Sequence, residues 1–196
     1  MKTLRFSHQY DFLFKIENIA PATTVTPRLD QFDLFADDYK VGADRLVKLY
    51  MKNPMHNQSL VQSIVHLYRQ YLEWKLKESI RRLNYLTWKG DEFPGHHRLN
   101  LLWKDCAVLI EAAQLDLDSD DLQKIEQIIE EFHTMDIVAV TTAYADQSQG
   151  NEMRVEVDVY HMAQALKGVS QFFDFVITLV LLKAEEETTG TKPRIL

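Results

Sequence analysis

The segment NQSLVQSIVHLYRQYLEWKLKESIRRLNYLT, Asn57 to Thr87, contains neither glycine nor proline. Pro54 precedes it, and Gly90, Pro94 and Gly95 follow it. At 100° per residue Val61, Val65, Tyr68, Leu72, Leu76 and Leu83 share one broad face, while Leu60, Leu67, Tyr71 and Trp74 occupy another. A helix with apolar residues on two sides must bury both against neighbours. This segment is therefore expected at the centre of a helical bundle, and a chain organised around it has little room for a large sheet.

The remaining periodicity supplies the neighbours. Helical spacing begins near Phe35 and stops before Pro54, whose ring disfavours helical geometry in the preceding residue. A third helix is expected from about His97 to Ala113, with Leu99, Leu102, Trp103, Cys106, Leu109 and Ile110 at core spacing. A fourth starts at DSDD, where Ser119 or an adjacent Asp caps the free amides, and it buries Leu122, Ile125, Ile128, Ile129 and Phe132. The period then changes. IVAVTTAY is β-branched and aromatic, and MRVEVDVY alternates strictly, so a small β-hairpin is expected between the fourth helix and the last. The last helix, about Val159 to Glu187, is apolar nearly all round in its middle. Such a helix is either the centre of the bundle or part of an oligomer interface. The fold class is mostly α: about five main helices and one hairpin in a single domain over 1–196, with an irregular segment at 1–35 and a tail at 188–196.

Composition places this fold in a class. One cysteine, Cys106, excludes an internal disulfide framework and a four-cysteine metal knuckle, which favours a reducing, cytoplasmic setting. The first residues are interrupted by Arg5, His8, Asp11, Lys15 and Glu17 and hold no apolar leader region. The longest apolar run, Val169 to Leu182, is shorter than the roughly 20 residues a spanning helix needs and contains Gln171 and Asp174, so no membrane is expected. The net charge of −7 argues against a general nucleic-acid binder, but it is unevenly spread. His66 to Lys104 holds eight Lys/Arg, four Asp/Glu and three His, whereas Asp105 to Asp136 holds ten acids and only Lys124. That split either gives a field that steers anions to one side or reflects unevenly solvated helix faces.

Few residues carry a chemical signature. His96 and His97 are adjacent and project differently, and no HxxxH or HExxH occurs, so no metal site is expected. No phosphate-cradling glycine loop or GxSxG is present, and no cofactor is implied. Cys106 lies in a core-facing row and reads as an inert thiol. Arg69, Glu73 and Lys77 are spaced i, i+4, i+8 and stack along one side of the second helix. They are either a solvated ion-pair stripe or the lining of a polar site. Glu73 and Lys77 fall on the polar side of the wheel, and Arg69 falls at the rim of the apolar face. One Arg is followed by His after four to six residues, Arg154 to His161, a range of spacings that nine arginines and seven histidines meet about once by chance in a chain this long.

The blocks LYRQYLEWKLKESI and HRLNLLW, followed by Asp136 and TTAYADQSQG, resemble a family of uncharacterised bacterial helical proteins. That family reads approximately LYRHYIELxLK, then HxLxxLW, then a loop written fRYPxdxxG. The resemblance covers about Ala36 to Leu181 and rests on three blocks in order. The family is similar to HEPN proteins: all-α, usually dimeric, often RNA-cleaving toxins or antiviral effectors, sometimes nucleotide-binding or partner-binding modules. This chain departs from it at Gln70, where the family has His, and at Ala143 and Ala145, where it has Arg and Pro. The matching positions Arg69, Glu73, Lys77 and His97 would form either a phosphate-binding cluster or a structural tie between helices. HEPN nucleases use an Arg to hold phosphate and a His for proton transfer. Arg154 with His161, or Arg69 with His97, would take those roles in a metal-independent ribonuclease using 2′-OH attack. The implied partners are a second copy through the last helix and RNA or a nucleotide in a defence or toxin system. A non-catalytic immunity partner or scaffold is the alternative, with another protein as its partner.

Overall fold

The computed structural model describes residues 32–87, 94–144 and 156–189, and in that range the chain forms five helices: α1 (Phe32–Lys52), α2 (Leu60–Leu86), α3 (Leu99–Ala112), α4 (Ser119–Tyr144) and α5 (Val159–Thr189). Side chains at 32–34, 136–144 and 187–189 are not described. The protein is mostly α, and α2 is its centre. This helix packs against α1, α3 and α5, while α4 packs on α3 and α5. Tyr68, Tyr71, Leu72, Leu76 and Leu83 of α2 are fully buried, which matches a helix with two apolar sides.

Short, capped connections fix the order. Between α1 and α2 the Asn53 carbonyl accepts the His56 and Asn57 amides, and the Asn57 side chain donates to Leu49 O at 2.9 Å. A tight connection of this kind turns the chain back on itself as an antiparallel helix pair. Ala36, Ala43 and Val47 form the buried face of α1, small enough to bring it close to α2. At the end of α3 the Leu115 amide reaches Ile110 O and the Gln114 amide reaches Glu111 O, a Schellman closure with Gln114 at φ 51°. Lys183 of α5 donates to the Ala113 carbonyl and so ties the end of α5 to the end of α3. Asp118, rather than Ser119, caps α4 by accepting the Asp120 amide at 2.8 Å. Asp158 caps α5 by accepting the His161 amide at 2.9 Å.

One expectation is corrected, and one of two alternatives is removed. The segment Ile137–Tyr144, expected as the first strand of a hairpin, continues α4. Strand preference for β-branched residues is a matter of a few tenths of a kcal/mol per residue and depends on a partner surface. No glycine or proline interrupts Ser119 to Tyr144, so the established helix propagates. Of the second arm, Glu156–Asp158 forms no strand, and Met153–Val155, with Arg154, lies outside the described residues. The expected irregular segment at 1–35 and tail at 188–196 likewise lie largely outside them.

The sequence left α5 as either the centre of the bundle or part of an oligomer interface. It is not the centre of the bundle: only 28% of its most apolar 18-residue stretch is buried. Over Val159–Glu186 it is long and apolar enough to cross a bilayer by length and composition, a longer stretch than the sequence run at 169–182 suggested. It packs through Leu166, Val169, Phe173, Val176 and Val180, and it leaves Tyr160, Phe175 and Leu181 exposed.

Candidate functional site

Helical spacing of four places Arg69, Glu73 and Lys77 in one row of α2. The row is not a solvated stripe: the Glu73 and Lys77 side chains are 3% and 4% exposed, and Arg69 is 14% exposed. Wheel geometry put Glu73 and Lys77 on the polar side, but α2 is covered on nearly every side in its middle turns, so even that side is inside the protein. Burying a carboxylate there requires partners. Glu73 has three. Its Oε2 accepts from Arg69, and its Oε1 accepts from Lys77 Nζ at 2.8 Å and from His97 Nδ1 at 2.6 Å.

His97 sits in the extended residues just before α3, and α2 holds it at two points. Arg69 Nη2 donates to the His97 carbonyl at 2.6 Å, and Glu73 holds the ring. With Glu73 ionised, Nδ1 carries the proton and donates it, which leaves Nε2 as the free, basic nitrogen. The His97 side chain is 73% exposed, so that nitrogen is open to a ligand. Burial opposes the Glu73 charge. Hydrogen bonds from Lys77, His97 and Arg69 and the Lys77 charge outweigh it, and they hold the carboxyl below its usual 4.5. Lys77 also stands 5.4 Å above the Trp74 ring. The N-terminus of α3 begins at Leu99, and no side chain caps it at Arg98.

A carboxylate that fixes the tautomer of a histidine whose other nitrogen is exposed is the arrangement used for general acid–base work. The second pairing considered, Arg154 with His161, gains no such support. His161 is exposed and lines a groove with Glu130, Glu131, Glu156 and Asp158, and none of Arg69, Glu73, Lys77 or His97 lines that groove. Among the described residues no group of three or more His, Cys, Asp and Glu is placed to hold a metal ion. Cys106 is fully buried and its thiol is pushed up to about 12, chiefly by burial, so it is a poor nucleophile.

Sequence reasoning missed a second ionic centre on the opposite side of α2. Lys75, 4% exposed, lies 3.1 Å from Glu78 and 3.3 Å from Asp174 of α5, and Arg82 donates to Glu78 at 2.9 Å. Burial would lower the Lys75 pKa, but Glu78 and Asp174 outweigh it and hold the ammonium above its usual range. The available signal was Asp174, a lone acid inside an apolar helix, opposite an i, i+3 Lys–Glu pair. A third tie joins α1 to α2, where the Tyr68 hydroxyl donates to Asp44 at 2.7 Å and Lys40 pairs with Asp44 at 2.8 Å.

No family model, curated protein or solved structure matches this chain.

Proposed function

We propose that this chain is a HEPN-like helical module that binds RNA and cleaves it without a metal, with His97 at the reacting centre. The observation that carries this reading is the Glu73–His97 pair: a buried carboxylate holds Nδ1 of a largely exposed imidazole, so that Nε2 remains for a ligand. In this reading Nε2 takes the proton of a ribose 2′-OH, the 2′-oxygen attacks the adjacent phosphorus, and the bond to the 5′-oxygen breaks. The leaving 5′-oxygen takes a proton from water and the imidazolium returns its own to solvent, so the products are a 2′,3′-cyclic phosphate and a 5′-hydroxyl. Arg98, beside His97, and the uncapped positive end of α3 suit the phosphate. Arg69 acts on position, since it already binds the His97 carbonyl. The blocks around Arg69 and His97 support the family assignment, and the basic region from His66 to Lys104 supports an anionic ligand.

One observation favours a second reading, a non-catalytic interaction module. Arg69 and Lys77 both bind Glu73, as a tie between α2 and the chain entering α3 would. The departures at Gln70, Ala143 and Ala145 point the same way. Both readings allow a cytoplasmic protein of a bacterial defence or toxin system that pairs with a second copy through the exposed face of α5. Asp174, held by Lys75 in the middle of α5, supports a soluble setting for that helix.

The test is incubation of total cellular RNA with the pure protein and a chelator, beside His97→Ala, Glu73→Gln and His161→Ala. The expected result is cleavage by the wild type and by His161→Ala, with a loss of at least 100-fold in His97→Ala. Intact RNA and no salt-sensitive binding by folded wild type would remove the nuclease reading and leave the interaction module.

A further inference from the structure

A groove of about 730 Å³ lies between α4 and the start of α5, with Val65 of α2 also lining it. Its volume falls in the range of small-molecule sites, roughly 300–1,000 Å³. The lining is mainly apolar: Ile128 and Phe132 come from α4, and Met162, Ala165 and Leu166 come from α5. Among the described residues its charges are one-sided: Glu130, Glu131, Glu156 and Asp158 line it with one ammonium, Lys124, which already pairs with Asp121 at 3.3 Å. His161 is the other titratable group among the described lining residues.

We propose that this groove binds a small organic cation with an apolar body. The apolar lining takes the body, by removal of its surface from water. The carboxylates take the charged head and disfavour an anion of the same shape. The flexible thioether of Met162 lets the groove adapt to the body rather than demand one shape. The same carboxylates make this side of the molecule unsuited to RNA, so the groove is separate from the His97 site and does not depend on the reading of it.

The test uses three probes with one tail: octyltrimethylammonium, octyl sulfate and octanol, below their micellar concentrations. Binding is followed by calorimetry on the full chain. The expected result is one cation per chain, bound at least about tenfold more tightly than octyl sulfate and weakened by salt. Glu130→Gln with Glu131→Gln reduces that preference several-fold, and Ala165→Trp, which fills the groove, removes binding. The double glutamine variant alters partly or fully exposed positions and so remains readable if Ala165→Trp does not fold. Equal binding of both head groups, no binding of the cation, or binding that survives Ala165→Trp in a folded protein would overturn the proposal. So would a cation site lost as the protein self-associates, which would assign the groove to a second copy.

Discussion

The middle of α2 carries two buried ionic centres on opposite faces, and they are built with opposite logic. Toward the chain entering α3, one carboxylate, Glu73, is ringed by Arg69, Lys77 and His97. Toward α5, one ammonium, Lys75, is held by Glu78 and Asp174, with Arg82 on Glu78. Counting only the named groups and a neutral imidazole, the first sums to +1 and the second to zero. The first ends in an exposed histidine, the side-chain type suited to proton transfer near neutral pH; the second ends in an exposed aspartate that only completes an ion pair. Both tie helices together, but only the first presents a group that can do chemistry. Buried charge alone is therefore a poor marker of a site. What distinguishes the two is whether the buried group orients something that solvent can reach.

The largest expected effect separates the two centres by stability. Glu73→Ala removes the buried carboxylate that Arg69, Lys77 and His97 share and costs about 3–5 kcal/mol in urea denaturation. Lys75→Met is milder, about 1–3 kcal/mol, because Glu78 keeps Arg82 and Asp174 is largely exposed to water. Equal costs would break the comparison.

Acid sharpens it. The Glu73 carboxyl titrates below its unfolded value of 4.5, so its contribution is complete above that pH and is lost as pH falls through the depressed folded value. Lys75 titrates above its unfolded value of 10.5, so its contribution is complete below that pH and is lost as pH rises through the raised folded value. Glu73→Gln is expected to flatten the acid limb of a stability-against-pH curve, and Lys75→Met the alkaline limb. A Glu73→Gln variant with an unchanged acid limb would contradict the assignment.

The fold outline was legible in the sequence because α2 declares two apolar faces and Pro54, Gly90 and Gly95 bound it. The continuation of α4 through IVAVTTAY was not legible, because β-branched residues state a preference and not the neighbours that decide it. The burial of Glu73 and Lys77, on the polar side of the wheel, was not legible because a helical wheel shows direction, not cover; α2 is covered on nearly every side in its middle turns. The approach of His97 to Glu73 was suggested by the paired blocks, but no spacing rule carries it, since 24 residues and a loop separate them. Lys75 with Asp174 went unread because its two halves lie on different helices.

Smaller effects follow from single positions. His97→Ala is expected to cost under about 1 kcal/mol, since its ring is largely exposed, while removing activity. Gln114→Gly, at a left-handed position that Gln adopts with strain, is expected to stabilise the fold by about 1 kcal/mol in thermal or urea unfolding. A destabilising result there would mean that the Gln114 side chain contributes to the closure of α3.

The central claim, that Glu73 holds His97 as a working group, is tested most directly by imidazole ¹⁵N resonances during titration with a short RNA. The expected spectrum shows His97 with Nδ1 protonated and Nε2 free, Nε2 shifting as RNA is added while His161 stays in place. The tautomer preference is expected to vanish in Glu73→Gln. A His97 ring protonated at Nε2, or RNA that moves His161 and leaves His97 unchanged, would contradict the account.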